Sequence, residues 1–92
     1  PAEFRALYPT EEIPLPANFR PEHGFDNGEL DIRDERLAPT PRDPATVREH
    51  LAGYYGMISH HDAWLGRLLA TLRETGADKN TLIVYTSDHG LA

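Results

Sequence analysis

The pattern of apolar and polar positions divides the chain into an irregular N-terminal segment, a long amphipathic helix and a short strand. In the middle part, apolar residues recur at spacings of three and four, which is the period of a helix packed on one face. These residues are Val47, Leu51, Tyr54, Tyr55, Ile58, Leu65, Leu68, Leu69 and Leu72. We therefore predict one helix over about residues 44–75.

Local signals mark both ends of this helix. Thr40 or Asp43 can cap the first turn with a side-chain oxygen. Pro41 or Pro44 would then stand at the first helical position, where proline is well tolerated. Gly76 lies where a helix-terminating glycine is expected. The helix boundaries are thus predicted from short-range chemistry alone.

Three glycines inside the helix, Gly53, Gly56 and Gly66, each cost about 1 kcal/mol relative to alanine. They predict close approach of another element to the helix.

A carboxylate falls on the apolar side of the helix. Asp62 lies four residues after Ile58 and three before Leu65, so we expect it to face the core. A buried carboxylate must find hydrogen-bond donors or change its pKa. Asp62 is therefore either a catalytic or metal carboxylate or a structural one bonded to backbone or basic groups.

Residues 81–86 are rich in β-branched and aromatic side chains and predict a buried strand. With the preceding helix they make half of a right-handed crossover, whose partner strand lies outside this chain. The fold class expected from this order is α/β.

Asp88 and His89 directly follow the predicted strand and are the best candidates for chemistry. Open parallel sheets bind ligands at the carboxyl ends of their strands. A carboxylate oxygen and an imidazole nitrogen can both bind a divalent cation, although two ligands do not complete a site. The alternative is a turn without a ligand.

Other possible catalytic residues are less convincing. Ser87 precedes this pair, but neighbouring side chains at a strand end point apart, which argues against a Ser/His/Asp triad. The remaining histidines are expected to be solvated or to pack structurally. They are His23, His50, His60 and His61.

Residues 1–43 contain seven of the eight prolines and are predicted to form an extended arm. Within it, Asp26-Asn27-Gly28 is a predicted turn and residues 30–33 a brief strand. Large apolar side chains should anchor the arm to a larger body, although a disordered linker is the alternative. These anchors are Phe4, Leu7, Tyr8, Ile13, Leu15, Phe19 and Phe25.

Composition narrows the possible partners. The formal net charge of −6 argues against a nucleic-acid partner. No apolar run approaches the roughly 18 residues needed for a membrane span. The absence of cysteine excludes disulfides and thiolate metal sites within the chain. No signal peptide is apparent at the start of the chain.

Short motifs follow one another in order along the helix and strand: Tyr54-Tyr55, Asp62, Gly66-Arg67, Asn80-Thr81 and Ser87-Asp88-His89-Gly90. This order and these gaps resemble the middle of a type I sulfatase, a family of the alkaline phosphatase superfamily. Segments 13–19 and 33–39 of the arm are also similar to a bacterial branch of the family.

The resemblance implies an alkaline-phosphatase-like α/β fold, with residues 1–43 as an arm and 44–92 as a helix-loop-strand piece of the catalytic domain. It implies hydrolysis of sulfate esters and a Ca²⁺ site to which Asp88 and His89 contribute. Other members have Asn at the His89 position, and imidazole is a softer ligand than Ca²⁺ usually takes, so Mn²⁺ or Zn²⁺ are alternatives.

The family nucleophile is a formylglycine made from Cys or Ser in a Cys/Ser-x-Pro/Ala-x-Arg motif, which this chain lacks. We therefore expect an internal piece of a larger enzyme, inactive by itself and without catalytic residues of its own. The rest of that polypeptide, or self-association, would cover its apolar surface. The resemblance implies a periplasmic or secreted location. The substrate is not specified by the sequence, and Arg33, Arg36 and His60 are only candidate contacts.

Two alternatives remain open. A phosphatase, phosphodiesterase or phosphomutase of the same superfamily also places Asp-His-Gly after a strand, with zinc or manganese as the metal. A non-catalytic structural or interaction module would bind no metal. The nucleophile of the full-length protein distinguishes a sulfatase from the first alternative. A metal titration of that protein distinguishes it from the second.

Overall fold

The computed structural model describes residues 1–25, 28 and 40–90. The chain divides into two units, Pro1–His61 and Asp62–Ala92, and each is described by itself. The elements of the described residues, in chain order, are helix α1 (Ala2–Arg5), a 3₁₀ turn (Thr10–Glu12), helix α2 (Pro44–Glu74) and a further 3₁₀ turn (Ala77–Asn80). The predicted helix over 44–75 is thus present almost residue for residue.

Helix α2 begins at a side-chain cap supplied by Asp43. The backbone N–H of Thr46 donates to Asp43 Oδ2 at 2.8 Å, and the Thr46 hydroxyl donates to the same oxygen at 3.0 Å. These bonds, the backbone one first, lower the pKa of the Asp43 carboxyl below its ordinary value. Of the two capping residues considered, the structure selects Asp43, with Pro44 at the first helical position.

The other end of α2 is set by Gly76, which adopts φ 70°. Its backbone N–H donates to the carbonyl of Arg73 at 3.0 Å. A left-handed residue stops the helix and turns the chain, and glycine takes this conformation without steric cost. The predicted polar turn after it is the 3₁₀ turn Ala77–Asn80.

In the first unit, α1 packs against α2 at Gly56. A Cβ at this position would lie 3.2 Å from Arg5 Cα, 3.2 Å from the Phe4 carbonyl oxygen and 3.3 Å from Arg5 N. The predicted close approach is therefore confirmed for Gly56. Among residues 1–25, 28 and 40–90, nothing lies within 4 Å of such an atom at Gly53 or Gly66, so for these two glycines the close approach stays a prediction.

Aromatic and polar contacts hold this crossing together. The Phe4 ring lies 5.0 Å from the His60 ring, and the Tyr8 ring lies 5.6 Å from that of Tyr55. The hydroxyls of Tyr8 and Ser59 share a hydrogen bond of 2.6 Å. One face of α2 is thus covered by the first residues of the chain, since all three contacts lie within the first unit.

Within the described residues, the arm is anchored by fewer side chains than its composition predicts. Ile13 is buried, and its carbonyl accepts a hydrogen bond of 3.1 Å from Arg48 Nε. Leu7 and Phe25 are 62% and 67% exposed within this chain, so their anchoring to a larger body stays a prediction. The predicted strand 30–33 lies outside the described residues. Of the predicted turn, only Gly28 is described, and its φ of 80° fits a turn.

The predicted buried strand over residues 81–86 is neither paired nor buried in the described part of the chain. Thr81 has extended dihedrals, but in the described part of the chain the segment pairs with no other strand. Leu82 is 89% exposed and Val84 75% exposed. A strand needs a neighbour to satisfy its backbone groups and to cover its faces, and the described residues offer none.

Asp62 is likewise uncovered in the described part of the second unit. Its side chain is exposed, and in the second unit Trp64 and Leu68 are 53% and 59% exposed. The core-facing position of Asp62 stays a prediction, because no element within the described unit covers this part of α2. Among residues 1–25, 28 and 40–90, no helix is both long and apolar enough to cross a membrane.

Candidate metal site

The chain bends at Asp88, immediately after the apolar segment. The Ser87 hydroxyl donates to the carbonyl oxygen of His89 at 2.6 Å, spanning the bend. The backbone N–H of His89 donates to Asp88 Oδ1 at 3.0 Å. Such short-range bonds from serine and aspartate side chains are typical of turns. The bend is therefore formed by residues 87–89 themselves.

This bend brings the two candidate ligands together. Asp88 Oδ2 lies 3.5 Å from His89 Nε2, while the other carboxylate oxygen is occupied by the backbone bond. Both side chains are more than four-fifths exposed, at 87% and 83%. In a regular strand, consecutive side chains point to opposite faces, so only the bend permits this convergence.

The arrangement fits a divalent cation in the distance between its donor atoms. Metal–oxygen and metal–nitrogen bonds are about 2.0–2.5 Å long, so one ion can contact two donors 3.5 Å apart. Carboxylate oxygen favours Ca²⁺, Mg²⁺ or Mn²⁺, whereas imidazole favours Zn²⁺. Asp88 and His89 are thus the residues that would hold a metal. Their donor atoms do not specify which metal.

The site formed by this pair is incomplete within the described residues. Across 1–25, 28 and 40–90, no three side chains of the metal-binding types come close enough to hold one ion. Asp62 belongs to an exposed stretch of α2 and is not part of such a group. Further ligands must come from other residues.

The other predicted site residues lie elsewhere. His60 packs against Phe4, and His23 lies 6.0 Å from the Phe25 ring. His50 and His61 are exposed. Arg33 and Arg36, candidate substrate contacts, lie outside the described residues. Of these histidines, His60 therefore has the packing role that we expected.

Ser87 is the residue whose part in the site the sequence analysis missed. It was considered only as a nucleophile and rejected, whereas its hydroxyl spans the bend that carries both ligands. The sequence contained a signal for this role, because a serine hydroxyl often forms a turn by bonding to the backbone two residues later.

Comparison with known proteins decides the family. The sulfatase family model matches residues 2–92. The chain belongs to the sulfatase family. This sulfatase-family chain is 33% identical over 104 aligned residues to human iduronate 2-sulfatase, covering 100% of the chain and 19% of that protein. No solved structure shows a significant match.

Two bacterial relatives cover shorter parts of the chain. An arylsulfatase of Klebsiella aerogenes is 39% identical over 61 residues, which are 66% of this chain and 13% of that enzyme. The multifunctional alkaline phosphatase superfamily protein PehA of Trinickia caryophylli is 48% identical over 48 residues, 52% of this chain and 9% of that protein. The chain thus spans less than a fifth of the length of these relatives.

Proposed function

We propose that this chain is part of the catalytic domain of a metal-dependent enzyme that hydrolyses sulfate esters, and that Asp88 and His89 are two of its metal ligands. The observation that carries the proposal is the convergence of Asp88 Oδ2 and His89 Nε2 to 3.5 Å in a chain of the sulfatase family. The nucleophile, proposed to be a formylglycine, and the remaining ligands come from other parts of the full-length protein.

The chemistry assigned to the two residues follows from their donor atoms. Asp88 offers one free carboxylate oxygen because its partner oxygen accepts the His89 backbone N–H. His89 offers its ring nitrogen Nε2 from the adjacent position. A divalent cation held there would polarise the ester and stabilise negative charge on its oxygens.

The exposed apolar segment supports a place within a larger domain. Leu82, Val84 and Tyr85 are 89%, 75% and 72% exposed, which is costly for a soluble surface. Pairing residues 81–86 with a strand of the larger protein would cover these side chains. It would also present the bend 87–89 at the carboxyl end of a strand, where open sheets bind ligands.

The test is a metal titration of the full-length protein and its Asp88→Asn variant. This substitution keeps the shape and removes the charge, so we expect Ca²⁺ or Mn²⁺ affinity to fall by more than roughly 100-fold, beyond the effect of outer-shell changes. Hydrolysis of an aryl sulfate should fall with it. Asp78→Asn, at an exposed aspartate of the preceding 3₁₀ turn, is the matched control.

Unchanged metal affinity in Asp88→Asn, or an equal loss in Asp78→Asn, would refute the proposed site. Absence of any metal binding by the full-length protein would instead favour a non-catalytic module. A His89→Asn variant restores the pattern seen in other sulfatases, and we expect it to retain Ca²⁺ while losing affinity for Zn²⁺.

A phosphatase or phosphodiesterase is the second candidate. It is favoured by the imidazole donor at His89 and by the similarity to the protein named as a multifunctional alkaline phosphatase superfamily member. Rates on an aryl sulfate, an aryl phosphate and a phosphodiester, measured with Ca²⁺, Mn²⁺ and Zn²⁺ in turn, separate the two. Formylglycine as nucleophile indicates a sulfatase, whereas unmodified Ser or Thr indicates the alternative.

A further inference from the structure

The backbone of His89 is held on both sides by the side chains of the two residues before it. Its carbonyl oxygen accepts from the Ser87 hydroxyl at 2.6 Å, and its N–H donates to Asp88 Oδ1 at 3.0 Å. In the described part of the chain, these are the contacts that hold His89 in the bend. The position of its ring therefore depends on two short local bonds.

The bond from the Ser87 hydroxyl, unlike the bond to Asp88, spans the whole bend. It joins residues two apart, and so it closes the bend across Asp88 itself. An extended chain would separate the Ser87 hydroxyl from the His89 carbonyl and would point the Asp88 and His89 side chains to opposite faces. Closing the bend and bringing the two donor atoms to 3.5 Å are thus the same structural event.

Neighbouring hydroxyls do not offer a substitute. Thr86 Oγ1 reaches only the Ser87 carbonyl, at 3.5 Å, which is the outer limit of a hydrogen bond. Thr81 Oγ1 donates to the carbonyl of Ala77 at the start of the segment. The residues of the bend are exposed, so within the described part of the chain packing does not hold its shape.

We infer that Ser87 is a positioning residue, whose hydroxyl preorganises Asp88 and His89 for a divalent cation without binding the cation itself. This inference rests on the proposed function. A preformed pair of ligands binds a metal more tightly because the ordering of the chain does not have to occur during binding. Partners outside the coordination sphere act in this way in many metal sites.

The experiment uses the full-length protein with Ser87→Ala, Ser87→Thr and the control Thr86→Val, which deletes a hydroxyl without a short bond. Ca²⁺ and Mn²⁺ affinities are measured by titration calorimetry, and the thermal midpoint of the metal-free protein is measured in parallel. We expect Ser87→Ala to bind about tenfold more weakly, the lower end of outer-shell effects. Ser87→Thr should restore the affinity, and Thr86→Val should retain it.

The inference is overturned if Ser87→Ala binds within twofold of the unaltered protein, or if Ser87→Thr is as weak as Ser87→Ala. It is also overturned if Thr86→Val loses as much affinity, or if the metal-free midpoint of Ser87→Ala falls, because either result indicates a general structural role. The Asp88→Asn variant separates the two proposals. If Asp88→Asn loses metal affinity and Ser87→Ala does not, only the role of Ser87 is rejected. If Asp88→Asn keeps its metal affinity, the site itself is rejected.

Discussion

Replacing Gly56 by alanine tests how α1 is held against α2. The new Cβ would meet three backbone atoms of α1 at 3.2–3.3 Å, closer than ordinary van der Waals contact. Backbone atoms cannot rotate away as the end of a side chain can. Either α1 moves by a few tenths of an ångström or the contact is strained. The contacts of Phe4 and Tyr8 with α2 oppose this movement.

Two effects of opposite sign determine the result. Alanine is favoured over glycine inside a helix by about 1 kcal/mol. Overpacking a close contact costs about 1–3 kcal/mol. Gly53→Ala has the first effect without the second, because none of the described residues lies within 4 Å of the added atom. We expect Gly53→Ala to stabilise by about 1 kcal/mol and Gly56→Ala to destabilise relative to it by about 2 kcal/mol.

Urea unfolding of the full-length protein, followed by circular dichroism, measures both free energies of unfolding. Hydrogen exchange at the amides of Ala6 and Tyr8, which donate to Ala2 and Arg5, reports on α1 directly. These amides should exchange faster in Gly56→Ala and at the original rate in Gly53→Ala. If Gly56→Ala stabilises as much as Gly53→Ala and leaves exchange unchanged, the close contact does not constrain α1.

Three further predictions follow from other contacts. The folded-state pKa of the Asp43 carboxyl lies below its ordinary value, so its capping of α2 is fully present above the ordinary pKa and is lost as pH falls through the lowered one. Circular dichroism down to about pH 2 should therefore show less acid dependence in Asp43→Asn, which caps without titrating. Tyr8→Phe and Ser59→Ala should each lower the free energy of unfolding by about 1 kcal/mol, and the double variant should lower it by no more than that. Additive losses in this double-mutant cycle would contradict the shared hydrogen bond. The isolated 92-residue chain should not hydrolyse an aryl sulfate and should self-associate through residues 82–85 in sedimentation experiments; a monomer that turns the ester over disproves both expectations.

The sequence was sufficient for helix α2 because the signals that define a helix are local. The spacing of apolar residues, the carboxylate of Asp43 and the left-handed Gly76 act within a few residues of each other. Residues 81–86 differ, because local signals alone cannot form or bury a strand. Their composition predicts a strand, but burial of a strand depends on a neighbour that is distant in sequence, and the described residues contain none.

The candidate site shows the same division on a smaller scale. The types of donor at Asp88 and His89, and their place after an apolar segment, were readable from the sequence. Their convergence was not, because the period of a strand places consecutive side chains on opposite faces. The bend spanned by Ser87 overrides that period.

The sequence by itself therefore determined the long helix, its two ends, the sulfatase resemblance and the two metal-capable residues. Only the tertiary structure decided that Gly56 receives another element, and that the Asp88 and His89 donor atoms lie 3.5 Å apart. The physical reason is the distance along the sequence over which each interaction acts. Capping, helical period and donor chemistry are properties of adjacent residues, whereas a helix crossing and the direction of a side chain depend on how the backbone is arranged in space.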